Sequence, residues 1–154
     1  MIKFRGFRKD GKGWVEGYYL FRFNSHRIQT IDENYLNGGA TLIHEIHPES
    51  LAMSTGLIDK NGKEIFGSIE VDGVMSKGGD KVRILYTDWG SKLDSDTRTM
   101  EQYLIDIASI GDVVFNEDRF CIMTKSKKYD DFNYSSIFPG KHGYIEIIGN
   151  QYQQ

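Results

Sequence analysis

The sequence predicts a mainly β domain with one long helix, arranged as a small barrel or sandwich whose end or face the helix covers. Three observations lead to this class. Aromatic residues make up 13% of the 154 residues, and 17 glycines stand against 2 prolines. Short apolar segments, many of them alternating with polar residues, are separated by glycine turns. One segment has instead the apolar spacing of a helix.

Strand-like patterns occupy much of the first half of the chain. A polar glycine turn over residues 8–13 separates the first two of them, which predicts a hairpin. Pro48 follows the fourth strand, and Pro48 to Leu51 are predicted as a single helical turn because proline suits the first helical position. The four strands are expected at residues 2–7, 14–23, 26–32 and 40–47.

The segment from Thr55 to Phe66 contains the sharpest turn signal. Asn61 and Gly62 lie between two short apolar pieces. This pair suits the type I′ hairpin turn, in which both central residues take a positive φ. Asp59 is interpreted as the polar flank of that turn. The sequence therefore predicts a tight hairpin here.

The rest of the chain is predicted to contain further strands with one helix among them. Asp72 and Gly73 suit a second tight hairpin over residues 68–75. A third hairpin is expected around residues 116–119, and residues 126–141, which have no clear period, predict a long loop. Further strands are expected at residues 81–86, 112–115, 120–124 and 144–148, followed by a frayed end over 151–154.

The helix is predicted over residues 94–110. Several N-cap residues and early negative charge begin it. Apolar residues then follow at helical spacing, and Gly111 is well placed as the residue after its end. The N-cap candidates are Asp94, Ser95, Asp96 and Thr97, and the apolar face comprises Met100, Tyr103, Leu104, Ile107 and Ala108.

Composition and charge argue against several classes of protein. A single cysteine, Cys121, rules out an internal disulfide and favours a reducing, cytoplasmic setting. No apolar run approaches the roughly 20 residues of a membrane span, and the first residues lack the apolar region of a signal peptide. The net charge of −3 and the pI near 5.8 differ from the basic excess of dedicated nucleic-acid domains.

The candidate catalytic and metal-binding groups are few, and each has a simpler interpretation. His44, Glu45 and His47 have H-E-x-H spacing, which on a strand points the two imidazoles to opposite faces and disfavours a shared metal. Cys121 lies in an apolar run and is interpreted as a small buried hydrophobe. The sequence contains no phosphate-binding loop, and no pair of carboxylates stands out as acid and base. We therefore expect no enzymatic activity, no metal and no cofactor.

A basic cluster near the N-terminus supplies the candidate nucleic-acid contacts. Basic residues there interleave with aromatic ones, and proteins that bind single strands combine a basic groove with stacking aromatics. The alternative is a solvated hairpin edge whose aromatic residues face the core. The basic residues are Arg5, Arg8, Lys9 and Lys12, and the aromatic residues are Phe4, Phe7 and Trp14.

Three parts of the chain resemble the YopX family, small proteins encoded by bacteriophages and prophages. Residues 48–50 with 54–66 resemble its central signature, residues 2–6 with 14–18 its N-terminus, and residues 145–152 its closing strand and tail. The resemblance implies a small β barrel related to the SH3-like shape and a bacterial cytoplasmic setting. The role of the family is essentially uncharacterised, so the resemblance supplies no catalytic residue.

The chain is thus expected to be a single YopX-like domain over residues 1–154, with two additions to the short family pattern. One is an inserted hairpin over residues 67–78. In the family pattern, an acidic-Gly-Asp-apolar sequence usually follows directly after the apolar pair that is Ile65-Phe66 here, but in this chain a similar sequence is found only from Gly78-Gly79-Asp80 onwards. The other is the helix over residues 94–110. Such additions are where an individual member would place its own recognition elements.

These observations predict a non-enzymatic phage or prophage accessory protein, a binding module for protein partners or for itself, with no membrane partner. Aromatic residues in predicted loops supply its candidate interface. The alternative is a nucleic-acid-binding protein that uses the basic N-terminal hairpin. The candidate interface residues are Trp89, Tyr129, Phe132 and Tyr134.

Overall fold

Thirteen strands and one 3-10 turn, Pro48–Ser50, account for the regular structure of the described residues. The computed structural model describes residues 2–30, 41–93, 96–98, 100–125, 132–136 and 143–152. The strands are β1 (Phe4–Phe7), β2 (Trp14–Arg22), β3 (Ser25–Thr30), β4 (Leu42–Glu45), β5 (Ala52–Ile58), β6 (Glu64–Ser68), β7 (Glu70–Val71), β8 (Val74–Met75), β9 (Asp80–Leu93), β10 (Met100–Asn116), β11 (Arg119–Lys125), β12 (Phe132–Ser136) and β13 (Tyr144–Asn150).

Eleven of the strands form one mainly antiparallel sheet. Its order is β12-β11-β10-β6-β5-β1-β2-β3-β4, while β9 also pairs with β10 and β13 pairs with β9. Strands β7 and β8 form a separate hairpin. Over the described residues the end strands β12 and β4 do not pair with each other, so the sheet is open. The small SH3-like barrel that we expected is therefore corrected to an open sheet of many strands, since a barrel requires closure.

Strand β10 lies where the sequence predicts the helix over residues 94–110, and that prediction is wrong. β10 pairs with β9 residue for residue, from Met100 opposite Leu93 to Asp112 opposite Lys81. The three isoleucines of the segment over residues 94–110 fit a pleated surface better than a helix. Its hydrogen bonds come from another strand, and the periodicity of a single segment does not reveal such a partner.

The features interpreted as helix ends have other roles. Asp96 and Thr97 lie in the turn between β9 and β10, because Asp and Thr favour turns as well as N-caps. The other two N-cap candidates, residues 94–95, lie outside the described residues. Gly111 lies within β10, where a Cβ atom would be 2.4 Å from Cγ2 of Ile122. Glycine is needed at that position for close packing and not as a helix cap.

Most of the predicted hairpins are confirmed. β1 and β2 pair around the turn at residues 8–13, and β10 and β11 pair around residues 116–119. The helical turn at Pro48 and the closing strand, β13, are also confirmed. Two other predictions are wrong in the described residues. β12 lies within the expected loop over residues 126–141, the rest of which is outside those residues. In the end predicted as frayed over 151–154, Tyr152 packs against three aromatic rings, and residues 153–154 lie outside the described residues.

Two clusters of buried apolar side chains form the core. The larger cluster lies among β6, β9, β10, β11 and β13, and the smaller one lies around β2, β3 and the 3-10 turn. The larger comprises Ile65, Val82, Ile84, Val113, Ile122 and Ile145, and the smaller comprises Val15, Ile28, Ile46 and Leu51. The sheet therefore has two packing centres, one in each half of its strand order.

Candidate interaction site

Strands β9 and β10 continue beyond the rest of the sheet as a two-stranded extension. β13 accompanies β9 only as far as Leu85. Beyond it, eight consecutive pairs, from Tyr86 opposite Ile107 outwards, join β9 to β10 alone among the described strands. We call residues 86–93 and 100–107 the arm. At about 3.3 Å per residue the arm is roughly 26 Å long.

The amino-acid composition of the arm suits burial against a further layer of protein. Half of its sixteen residues are apolar or aromatic. A two-stranded ribbon without a further layer is at best marginally stable in water. Trp89, expected in a loop, lies in β9 as the register partner of Leu104. The apolar and aromatic residues are Tyr86, Trp89, Leu93, Met100, Tyr103, Leu104, Ile105 and Ile107.

Strand β12 holds two more of the predicted interface aromatics. Phe132 and Tyr134 lie on this strand and not in a loop, and they are 49% and 51% exposed. β12 is the terminal strand of the sheet, and its outer edge pairs with no other strand in the described ranges. Tyr129 lies outside those ranges.

The turn between β2 and β3 presents an exposed phenylalanine. Phe23 and Asn24 occupy its two central positions with φ of 55° and 56°, and Arg22 pairs with Ser25 across the turn. Positive φ at both positions is the pattern of a type I′ turn, which favours Asn and Gly, so a phenylalanine is strained there. Phe23 is 76% exposed, and the guanidinium carbons of Arg22 and Arg27 lie 4.7 and 5.9 Å from its ring centre.

A chain of hydrogen bonds connects this hairpin with the β7–β8 turn. The Tyr19 hydroxyl lies 2.8 Å from Nδ1 of His26, and Nε2 of His26 lies 3.0 Å from Oδ2 of Asp72. Burial raises the pKa of Tyr19, and the negative charge of Asp72 adds to this, so the phenol stays protonated at neutral pH. The arrangement positions two hairpins and does not generate a phenolate nucleophile. The sequence interpretation missed it because Asp72 is 46 residues from His26.

An apolar cleft of about 200 Å³ lies beside Asp72. Val74 and Met75 of β8 form an open part of its wall and are 69% and 39% exposed. The lining includes the apolar residues Pro48, Val71, Val74 and Met75 and the carboxylates of Glu49 and Asp72. The cleft therefore combines an apolar surface with two negative charges.

The structure separates the four candidate nucleic-acid residues. Arg5 is only 14% exposed at its side chain, and its guanidinium donates to Oδ1 of Asp80 at 2.6 Å. Arg8 forms an ion pair with the aspartate two positions further along the chain. Lys9 and Lys12 are exposed in the hairpin turn. Arg5 thus contributes to folding, and the other three lie at the surface of the hairpin.

The candidate metal and thiol groups lie apart from one another. No group of three or more His, Cys, Asp or Glu within the described ranges is placed to hold a metal ion. His44 lines an open cavity of about 480 Å³ beside Arg8, and burial together with the Arg8 charge lowers the pKa of His44. Cys121 is 6% exposed, and burial raises the pKa of its thiol. That thiol is protonated at neutral pH and is unsuited to nucleophilic attack.

Comparison with known proteins identifies the family. A family model described as YopX protein matches residues 3–154, nearly the whole chain. The chain belongs to the YopX family. Searches of curated proteins and of solved structures find no match. In the described part of this YopX family member, no helix is long and apolar enough to cross a membrane.

The central YopX signature forms a turn around one buried carboxylate. Asp59, 5% exposed, accepts the backbone N–H groups of Asn61 at 2.8 Å, Lys63 at 2.9 Å and Ile147 of β13 at 3.3 Å. Gly62 has a positive φ of 81° but Asn61 does not, so the predicted type I′ turn is wrong. Asp59 favours a type I turn followed by glycine in the left-handed conformation. The signature therefore closes the β5–β6 hairpin and also holds β13.

The β7–β8 hairpin lies in the segment predicted as an insertion over residues 67–78. Asp72 and Gly73 both have positive φ, 52° and 79°, which confirms the tight turn predicted for this pair. That the hairpin is an insertion relative to the shorter YopX pattern stays a prediction. Its position matters for the site because Asp72 contacts His26 and also borders the cleft.

Proposed function

We propose that this YopX family member is a non-enzymatic phage or prophage accessory protein of the bacterial cytoplasm that binds a protein partner through the arm. The observation behind the proposal is the length of the arm: eight cross-strand pairs extend past the last residue that β13 accompanies. Inserted or extended elements on a stable sheet are where binding residues are commonly placed. The resemblance to phage-encoded proteins supports the phage setting.

The arm is better suited to a complex than to an isolated chain. Its cross-strand pairs provide main-chain hydrogen bonds. No third strand pairs with them among the described residues, so the outer edges of the arm could pair with a strand of a partner. Trp89 and Tyr103 belong to the aromatic types that contribute most to binding in protein interfaces.

The charges of the arm favour a protein over a nucleic acid. Its sixteen residues include three acidic side chains, Asp88, Glu101 and Asp106, and one basic side chain, Lys92. The difference, one positive against three negative charges, leaves the arm at −2. A surface of this sign repels phosphate groups. The arm is therefore proposed as a protein-binding element.

Nucleic-acid binding through the N-terminal hairpin is the second candidate. Lys9 and Lys12 are exposed in its turn, and Arg8 lies beside them. Binding of this kind would weaken steeply as salt is raised, because it releases counterions from phosphates. Exchanging Lys9 and Lys12 for glutamate would abolish it and leave the arm unchanged.

Affinity purification from infected or lysogenic host cells tests the proposal. The key variant lacks the arm: Leu85 is joined to Ala108 through Asn-Gly, which keeps the strand pairs of β9 with β13. Circular dichroism and thermal unfolding check that this variant is folded. The control variant combines Lys9→Glu and Lys12→Glu.

We expect the full chain and the Lys9→Glu, Lys12→Glu variant to retain the same protein after nuclease treatment, and the chain without the arm to lose it. Equal recovery by the chain without the arm would contradict the arm as the binding element. Complete loss of retained material on nuclease treatment would favour the nucleic-acid alternative instead.

A further inference from the structure

We propose that two copies of this chain associate by inserting the β2–β3 turn of each into the apolar cleft of the other, with Phe23 as the inserted side chain. The turn and the cleft both lie outside the arm. The inference therefore goes beyond the proposed function and stands or fails separately from it.

Phe23 occupies a position that suits other residues better. Its φ of 55° lies in the left-handed region, which Asn or Gly adopts with less strain than a bulky aromatic residue. Strained residues persist where the surroundings or the function require them. Because Phe23 is 76% exposed, packing within its own chain does not account for the choice. A contact with another molecule would account for a phenylalanine at this position.

The cleft matches a phenyl ring in size and polarity. Its volume is about 200 Å³, and an aliphatic cavity of about 150 Å³ is enough to accept benzene. Pro48, Val71 and Val74 give it an apolar wall. Met75 adds a thioether, which makes favourable contacts with aromatic rings.

The charges around the two elements are complementary. Arg22 lies against the Phe23 ring, as does Arg27, which also pairs with Glu45 at 2.9 Å. Glu49 and Asp72 border the cleft, so Arg22 is the cation that docking would bring to them. The carboxylate side chains of Glu49 and Asp72 are 53% and 71% exposed, so both are accessible to a docking cation. Docking would bring opposite charges together around a buried ring, an arrangement that favours the correct partner and register.

The placement of the turn and the cleft favours a second copy over a different protein. His26 lies one cross-strand pair from the β2–β3 turn, and its hydrogen bond to Asp72 places that end of the hairpin beside the border of the cleft. When complementary elements are neighbours, two copies can meet around a two-fold axis, with the turn of each copy in the cleft of the other. Such a contact closes as a dimer. The contact is small compared with stable interfaces of about 1,600 Å², so we expect a weak dimer.

Sedimentation equilibrium of the full chain over a wide concentration range tests the inference. We expect a reversible dimer that Phe23→Asn weakens at least about tenfold. Thermal stability of this variant should stay the same or rise, because asparagine suits the turn. Val74→Lys should also weaken the dimer by opposing the arginines. Ile58→Asn is the matched control, since Ile58 is 58% exposed and lies on β5, outside both elements.

Charge reversal provides a second, specific measurement. Arg22→Glu and Glu49→Arg should each weaken the dimer, and the two changes combined should restore it. The chain without the arm should dimerise as the full chain does. A chain that stays monomeric at every concentration would overturn the inference, and so would a dimer that Phe23→Asn and Ile58→Asn weaken equally or that depends on the arm.

Discussion

Arg5 of β1 and Asp80 of β9 form a buried ion pair. The Arg5 guanidinium lies 2.6 Å from Oδ1 of Asp80, and Oδ2 accepts the backbone N–H of Phe66 at 2.8 Å. The guanidinium carbon also lies 4.6 Å from the centre of the Phe66 ring. These contacts join β1, β6 and β9 at a single point, although the two charged residues are 75 positions apart.

Replacing Arg5 by methionine should lower the free energy of unfolding by about 3–5 kcal/mol, because Asp80 would remain as a buried charge without its partner. Urea denaturation followed by tryptophan fluorescence measures the change. Lys12→Met is the control in the same hairpin. Lys12 is exposed, so that change should be within about 0.5 kcal/mol of zero. Similar values for the two variants would contradict the structural role of Arg5.

The stability contributed by Asp59 should depend on pH. Burial alone raises the pKa of Asp59, but hydrogen bonds from the backbone N–H groups of Lys63, Asn61 and Ile147 outweigh it, so the pKa lies below its usual value of 3.8. A carboxylate whose pKa is lowered by folding stabilises the fold above its unfolded pKa. That contribution is lost as the pH falls through the folded pKa.

Asp59→Asn should therefore lower the free energy of unfolding by about 1–3 kcal/mol at neutral pH, with a smaller effect in acid. Urea denaturation of the variant and the parent chain at several pH values measures the difference. Asp118→Asn is the control, because the Asp118 side chain is 86% exposed. A difference between Asp59→Asn and the parent chain that is constant from neutral pH to well below 3.8 would contradict the account.

Gly78→Ala should be among the most damaging of single-methyl additions. A Cβ atom at Gly78 would lie 1.9 Å from the carbonyl oxygen of Ser50, and backbone atoms cannot move aside as a flexible side chain does. Overpacking of this kind costs about 3 kcal/mol, measured as a loss in the free energy of unfolding. Gly11→Ala is the comparison: its Cβ meets nothing within 4 Å, but its φ of 73° should cost about 1 kcal/mol. Equal losses would argue against close approach at Gly78.

The sequence was sufficient where structure depends on local turn chemistry. Asp72-Gly73 predicted a tight turn from two adjacent residues, and the structure has positive φ at both. The Asn61-Gly62 hairpin was also predicted, but its predicted type I′ turn is wrong, because the Asp59 carboxylate accepts the backbone N–H groups of Asn61 and Lys63 and, 88 positions away, that of Ile147. Local composition determines where the chain reverses, and contacts between distant residues determine the geometry it adopts.

The features on which the proposals rest depend on distant pairing and could not be predicted. The segment predicted as a helix over residues 94–110 has helical spacing, yet pairing with β9 makes its residues 100–110 part of β10. Trp89 was predicted for the interface as an aromatic residue in a loop, and only the register with β10 places it on a strand, in the arm. The Phe23 turn was missed because the boundary between the second and third strands was placed over residues 24–25 with no turn assigned there. The positive φ of Phe23 appears only in the structure.

Amide hydrogen exchange along β9 and β10 tests the central claim most directly, because it follows the arm in the free chain and in the complex with the captured partner. In the free chain, the amides of residues 86–93 and 100–107 should exchange much faster than those of Val82 and Ile84, which lie in the larger core cluster. In the complex, arm amides should slow at least about tenfold, while those of Val82 and Ile84 stay unchanged. Arm amides whose exchange is the same in the free chain and in the complex would contradict the arm as the binding element.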